Sequence, residues 1–139
     1  MKILVTAAAG SGGFHIAERF LGRGDSVVGI DSLNGCDSDG SGCLRLSGLG
    51  IRDAASTLAE SREGDGSFPA PSRFCGKFRF YRCDASDKEI LSAIFKRERF
   101  GLAVDSEEPG SPGSLNVLEC CARFNVMHKT ISDCEDIRK

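Results

Sequence analysis

The residues able to do chemistry are concentrated near the start of the chain. A β-branched and apolar run, Lys2 to Thr6, leads into the small residues Ala7-Ala8-Ala9-Gly10-Ser11-Gly12-Gly13, and a second apolar run ends at Asp31. A tight turn between a strand and a helix aims several backbone N–H groups and the positive end of the helix dipole at one point, which suits a pyrophosphate. Glycine serves there because a Cβ would block the approach of a phosphate or demand a strained positive φ. Gly10 and Gly13 have the spacing of the second and third glycines of a dinucleotide fingerprint, and Asp31 stands where a carboxylate accepts both adenosine ribose hydroxyls. The same carboxylate would repel a 2′-phosphate, so the expected ligand is NAD rather than NADP. No Gly-Lys-Ser/Thr follows the glycines, which excludes a P-loop. The competing reading is structural, with the turn packing a helix onto a strand and Asp31 a solvated strand end.

Other reactive side chains offer less. Tyr81 is the single tyrosine and there is no tryptophan, so a tyrosine acid or base has one candidate. The seven cysteines contain no Cys-x-x-Cys pair, and only His15 and His128 could join them, so neither a disulfide framework nor a metal site is expected. His15 reads as solvent-facing, and His128 has no carboxylate within its own strand to orient it. Ser132 reads as a surface serine, and of the neighbours Cys120 and Cys121, about 100° apart on a helix, one is expected in the core and one partly exposed. Lys96-Arg97-Glu98-Arg99 reads as a charged helix end favoured by the macrodipole.

The elements that must position these residues alternate along the chain. After the first strand and turn, Phe14, Ala17 and Leu21 form a helical stripe with Ile16 and Phe20 beside it, and Gly22 and Gly24 bracket the helix end. Ser26 to Ile30 is a second strand, and a strand, helix and strand in this order make a parallel pair. Ser32 to Arg73 is a Gly/Ser-rich insertion in which only Arg52 to Ser61 has a helical pattern. Phe78 to Arg82 alternates as a strand, and Ser86-Asp87-Lys88-Glu89 reads as a capping box opening a helix with Ile90, Leu91, Ile94 and Phe95 on one face. Leu102 to Val104 is a fourth strand. A helix from Ser114 to Phe124 is expected to bury Leu115, Leu118, Cys121 and Ala122 and to stop at Asn125, before a fifth strand from Met127 to Ile131. The fold expected is α/β, a Rossmann-like doubly wound parallel sheet truncated to about five strands, over one domain of residues 1–139.

Composition limits the partners. The 139 residues are about one domain's worth, 40% of them are hydrophobic, and the net charge of −2 provides no positive field for nucleic acid. No apolar run reaches the roughly 18 residues of a membrane span, and Met1 to Thr6 is too short for a signal peptide, so a cytoplasmic protein is expected. An exposed final strand would be an edge for homodimer formation or aggregation.

Three stretches carry a family likeness. Lys2 to Gly10, Gly13 to Arg19 and Gly24 to Asn34 together resemble the start of extended short-chain dehydrogenase/reductases, particularly NAD-dependent nucleotide-sugar epimerases of the UDP-glucuronate 4-epimerase type. Lys77 to Asp84, Glu98-Arg99-Phe100 and Leu115 to Cys121 extend the likeness more loosely. The resemblance implies cofactor-binding residues Gly10, Ser11, Gly12 and Gly13 at the turn, with Gly10 and Gly13 facing the pyrophosphate. It places Asp31, Ser32 and Asn34 around the ribose, and Asp84 with Ala85 at the adenine ring. It also implies transient hydride transfer to NAD and rotation of a keto-sugar, with a nucleotide-sugar as substrate of a longer ancestor.

Departures from the pattern set the functional expectation. Ala7 stands at the first glycine, so the turn either strains by about 1 kcal/mol as a left-handed alanine or shifts away from the cofactor. Ser11 and Gly12 replace a bulky apolar pair, and Asp105 to Gly110 replaces a small-residue motif on the nicotinamide side. The family's Tyr-x-x-x-Lys pair is missing, since Ala85 follows Tyr81 by four residues, so no catalytic residue is assigned. The expectation is a truncated or degenerate NAD-binding domain, its affinity weak or lost, without turnover alone. The alternatives are a nonenzymatic nucleotide-sensing or interaction module and an eroded, non-functional fragment.

Overall fold

Parallel strands covered on both faces need apolar residues at consecutive positions, and Ile3-Leu4-Val5 meets that need at the centre of a sheet. The computed structural model describes residues 1–33, 45, 70–71 and 76–131. In chain order these form β1 (Lys2–Thr6), α1 (Ser11–Gly22), β2 (Ser26–Asp31), β3 (Ala70–Pro71), β4 (Phe78–Arg82), α2 (Lys88–Glu98), β5 (Leu102–Asp105), α3 (Pro112–Phe124) and β6 (Met127–Thr130). The sheet order is β3-β4-β2-β1-β5-β6. Five strands are parallel, as expected; β3 adds a two-residue antiparallel edge, Ala70 opposite Phe80 and Pro71 opposite Arg79, inside the stretch expected to be an insertion. A proline is tolerated at such an edge because no further strand needs its missing N–H. The helical pattern at 52–61, together with Asn34, Ser132 and four of the cysteines (Cys36, Cys43, Cys75, Cys134), lies outside the described residues.

Alternation along β1 sends side chains into two separate cores. Ile3 and Val5 pack with Ile16, Ala17 and Phe20 of α1, together with Val27, Phe78 and Phe80. Leu4 packs on the other face with Val28, Ile30, Leu91, Ile94, Phe95 and Val117, beneath α2 and α3. Helices on both faces make the sheet doubly wound. Among the described residues no helix is long and apolar enough to cross a membrane.

Four local expectations are corrected. The capping box does not form: Asp87 is the N-cap of α2, its carboxylate accepting from Ile90 N, because Asp84 Oδ1 captures both the Ser86 amide (2.9 Å) and hydroxyl (2.8 Å) in a preceding turn. The helix therefore starts one residue later than the serine pattern implies.

α3 is rotated from its expected phase. It buries Gly113, Ser114, Val117, Cys120 and Cys121, whereas Leu115 (55%) and Leu118 (44%) are exposed, and so is Ala122. The inward stripe begins with small residues for physical reasons. Ser114 Oγ donates to buried Asp105 at 2.7 Å, and a Cβ on Gly113 would stand 3.1 Å from that of Ala85. Apolar pattern alone selects the neighbouring stripe.

Cys120 and Cys121 are both buried, contrary to the expected split, because α3 packs against the sheet on one side and against α2 on the other. Cys120 Sγ lies 3.6 Å from Ser92 Oγ of α2. The helix ends as anticipated, Asn125 adopting φ 57° and ψ 49°.

Glu98 also departs from its expected place in a solvated helix end. Its side chain is 1% exposed and accepts from Lys2 Nζ (3.0 Å), Arg79 Nη2 (2.7 Å) and Tyr81 Oη (2.6 Å). It thereby links β1, β4 and the end of α2. Burial by itself would raise the Glu98 pKa, but the Tyr81 and Lys2 hydrogen bonds and the charges of Arg79 and Lys2 outweigh it and hold the carboxyl below its usual range. The Tyr81 hydroxyl is pushed up, first by burial and then by the bond to Glu98.

Candidate functional site

The turn after β1 follows from a few backbone constraints. Ala7 takes φ 51°, so of the two outcomes open to an alanine at that position the chain adopts the strained one. Gly10 N then bonds Ala7 O at 3.0 Å, and Phe14 N bonds Gly10 O at 2.9 Å to start α1. Gly13 is buried, and a Cβ on it would fall 2.2 Å from Ala7 O, so only glycine lets α1 approach the end of β1 this closely. Relief of the strain gives a direct expectation: Ala7→Gly raises stability by about 0.5–1 kcal/mol, roughly 2–4 °C in Tm, with chain entropy offsetting part of the gain. A thermal melt showing no rise or a fall contradicts a strained Ala7.

α1 begins at this turn with no side-chain cap from Gly10 and no acidic residue in its first turn. Its first amides and the positive dipole end are therefore available to an anion. They open onto a cavity of about 360 Å³ lined by Ala7, Ala9, Gly10, Ser11, Asp31, Ser32, Arg45, Asp84, Ala85 and Glu107. These residues follow the carboxyl ends of β1, β2, β4 and β5, with Arg45 added from the β2–β3 connection. Chain order reverses direction across β1, which puts the cavity at the topological switch point where open α/β sheets bind ligands. Its size falls at the lower end of small-molecule sites.

Asp31 is braced by two amides: Ala9 N donates to Oδ2 at 3.0 Å and Leu33 N to Oδ1 at 2.9 Å. Burial raises its pKa, the Leu33 and Ala9 amides lower it, and the charge of Asp84 raises it further, with a net upward shift. Arg45 Nη1 donates to Ala9 O at 2.8 Å and brings a positive charge to the wall. Of the expected cofactor-binding set, Gly10, Ser11, Asp31, Ser32, Asp84 and Ala85 meet at the cavity. Gly12 and Gly13 are not in its lining; a Cβ on Gly12 would lie 2.6 Å from Ile131 Cδ1, and Gly13 packs on Ala7.

Two groups escaped the sequence reading. Glu107 lines the cavity from the segment after β5, and burial followed by the charges of Asp105, Asp31 and Asp84 pushes its carboxyl up. Asp105, buried beneath it, accepts from Ser114 Oγ at 2.7 Å and Glu107 N at 2.8 Å, and lies 3.2 Å from His128 Nε2. The orienting carboxylate for His128 thus comes from the adjacent strand, where no pattern within its own strand could signal it. Ser114 donates to the carboxylate and not to the imidazole, so this cluster is a brace rather than a nucleophile and base. Among the described residues no three His, Cys, Asp or Glu side chains converge to hold a metal ion.

Similar solved structures share this architecture. UDP-glucose 4-epimerase from Thermotoga maritima matches 91% of the chain at 20% identity and a TM-score of 0.59. dTDP-glucose 4,6-dehydratase from Bacillus anthracis, in complex with NAD, matches 94% at 15% identity and a TM-score of 0.64. The fold is that of nucleotide-sugar epimerases and dehydratases. The Thermus thermophilus UDP-glucose 4-epimerase complex with NAD agrees, at 22% identity and a TM-score of 0.58. Among curated sequences the chain is 28% identical to an uncharacterized 37.6 kDa protein of Escherichia coli O111:H- and 25% identical to protein CapI of Staphylococcus aureus. It spans 92% of its own length in both cases but 36% of theirs, and about a third of each solved enzyme. No family model matches the chain.

Proposed function

We propose that this chain forms the adenosine side of a NAD site belonging to nucleotide-sugar epimerase or dehydratase chemistry. The observation that carries the reading is the uncapped start of α1, opening onto a cavity that the Asp31 carboxylate also lines. The α1 amides at Ser11 and beyond take the pyrophosphate, Asp31 takes the ribose hydroxyls with Ser32 beside it, and Asp84 with Ala85 flanks the adenine. Gly13 acts one step back, by letting α1 reach that position. The Asp31 charge repels a ribose 2′-phosphate, so NAD binds in preference to NADP.

Turnover is not assigned to this chain alone. Tyr81 is fully buried, its hydroxyl held by Glu98, and Ala85 stands where a lysine partner would be. Calorimetric titration is expected to give saturable, 1:1 NAD binding with NADP weaker; equal affinities would remove the role given to Asp31.

We also propose that two copies associate through the side carrying β6. Among the described residues β6 is a sheet edge, Met127 on it is 60% exposed, and Leu115 and Leu118 of α3 present further apolar surface. Light scattering should report a dimer that dissociates in a Leu115→Glu/Leu118→Glu double variant. A monomer at high protein concentration would rule this association out.

A further inference from the structure

Glu107 is placed where a carboxylate works against the ligand proposed for the cavity. It lines the wall with Asp31 and Asp84, so three carboxylates and one guanidinium, that of Arg45, face the cavity. Asp105 lies beneath and holds the Glu107 amide at 2.8 Å, which fixes the backbone from which the side chain projects. Gly113 of α3 lies beside it, where an added Cβ would meet Glu107 Cδ at 3.4 Å, an ordinary van der Waals contact. Among the described residues the Glu107 carboxylate has no hydrogen-bond or ion-pair partner. Asp31 and Asp84, in contrast, each accept from backbone amides.

Among the described residues the charged groups around it come from β2, the segment after β4, β5 and β6, with the Arg45 guanidinium of the β2–β3 connection also in the wall. β2 contributes Asp31, the segment after β4 contributes Asp84, β5 contributes Asp105, and β6 contributes His128, which is engaged with Asp105. The sum is negative at neutral pH. In a half-buried cavity a unit charge several ångströms from a pyrophosphate is screened less than in bulk water.

We propose that Glu107 is a charge gate of this cavity: ionised, it opposes phosphate-bearing ligands, and once protonated or replaced by a neutral side chain it admits them. The proposal rests on the nucleotide reading of the cavity. Its upward-shifted carboxyl brings the change of state closer to neutral pH than for a free glutamate.

Titrations of NAD and of adenosine into the wild-type protein and Glu107→Gln, at about pH 7.5 and about pH 5, test it. Glu107→Gln should bind NAD roughly tenfold more tightly than wild type at the higher pH, and the ratio between the two should shrink at the lower pH, a comparison in which any loss from protonation of Asp31 is common to both proteins. Adenosine, lacking phosphate, should bind wild type and Glu107→Gln alike at each pH. Glu107→Ala repeats the test without a hydrogen-bonding side chain, and a thermal melt of each variant confirms that it is folded. If NAD binds wild type and both folded variants with the same affinity and pH slope, the gate is overturned while the nucleotide reading stands. If NAD binds none of them at either pH, both fall together.

Discussion

Replacing Glu98 by alanine is expected to destabilise the fold by about 2–4 kcal/mol, roughly 10 °C in Tm, and to broaden or abolish the cooperative transition if stability is low. The expectation follows from unequal partners. Tyr81 is fully buried and would keep a hydroxyl with no acceptor, whereas Lys2 and Arg79, with side chains 31% and 42% exposed, can return to water. Most of the loss therefore comes from the tyrosine and the cavity left behind, and little from the two ion pairs. Tyr81→Phe alone should cost less, and the double variant should fall well short of the sum because both changes remove the same hydrogen bond. Glu98→Ala within about 0.5 kcal/mol of wild type would show that the buried cluster does not hold β1, β4 and α2 together.

The same cluster sets one side of the pH dependence. Glu98 has a lowered carboxyl pKa in the folded protein, so its contribution is full above the unfolded value and is lost as pH falls through the folded one. Asp31 and Glu107 are shifted upward, so their effect has the opposite sign, favouring the fold at low pH and weakening it as pH rises through their folded values.

Asp31→Ala is expected to weaken NAD binding at least tenfold and to narrow the gap between NAD and NADP. A carboxylate accepting two hydroxyl hydrogen bonds contributes about 1.5–3 kcal/mol, and its removal also removes the repulsion of a 2′-phosphate. Part of the effect passes through the turn, because Asp31 accepts from Ala9 N and Leu33 N. Asp31→Asn separates the two roles: its amide oxygen can keep one backbone bond while the charge is gone, so discrimination against NADP should fall further than stability does.

The parallel strands were legible because burial on both faces demands apolar runs, and Lys2–Thr6, Ser26–Asp31 and Leu102–Asp105 are such runs bounded by turn residues. The switch-point cavity was legible through the glycine turn and Asp31, since both mark the carboxyl end of a strand. The phase of α3 was not, because two adjacent stripes are apolar and the buried one is chosen by Ser114 and Gly113, through contacts to residues distant in sequence. Glu98 was hidden for a similar reason. Within Lys96-Arg97-Glu98-Arg99 it reads as one more surface charge, and only the fold brings Lys2, Arg79 and Tyr81 to it. Glu107 sits in a polar, proline-containing loop whose local pattern gives no direction, and its place in the cavity depends on where β5 ends.

The central claim is that the cavity beside the uncapped start of α1 is the adenosine side of a NAD site. Paired calorimetric titrations of NAD into the wild-type protein and Asp31→Ala, with both shown to be folded by thermal melt, test it most directly. The account predicts saturable 1:1 binding to wild type, weakened at least tenfold by the substitution. Equal affinity for the two folded proteins, or no binding to wild type at millimolar NAD, would contradict it.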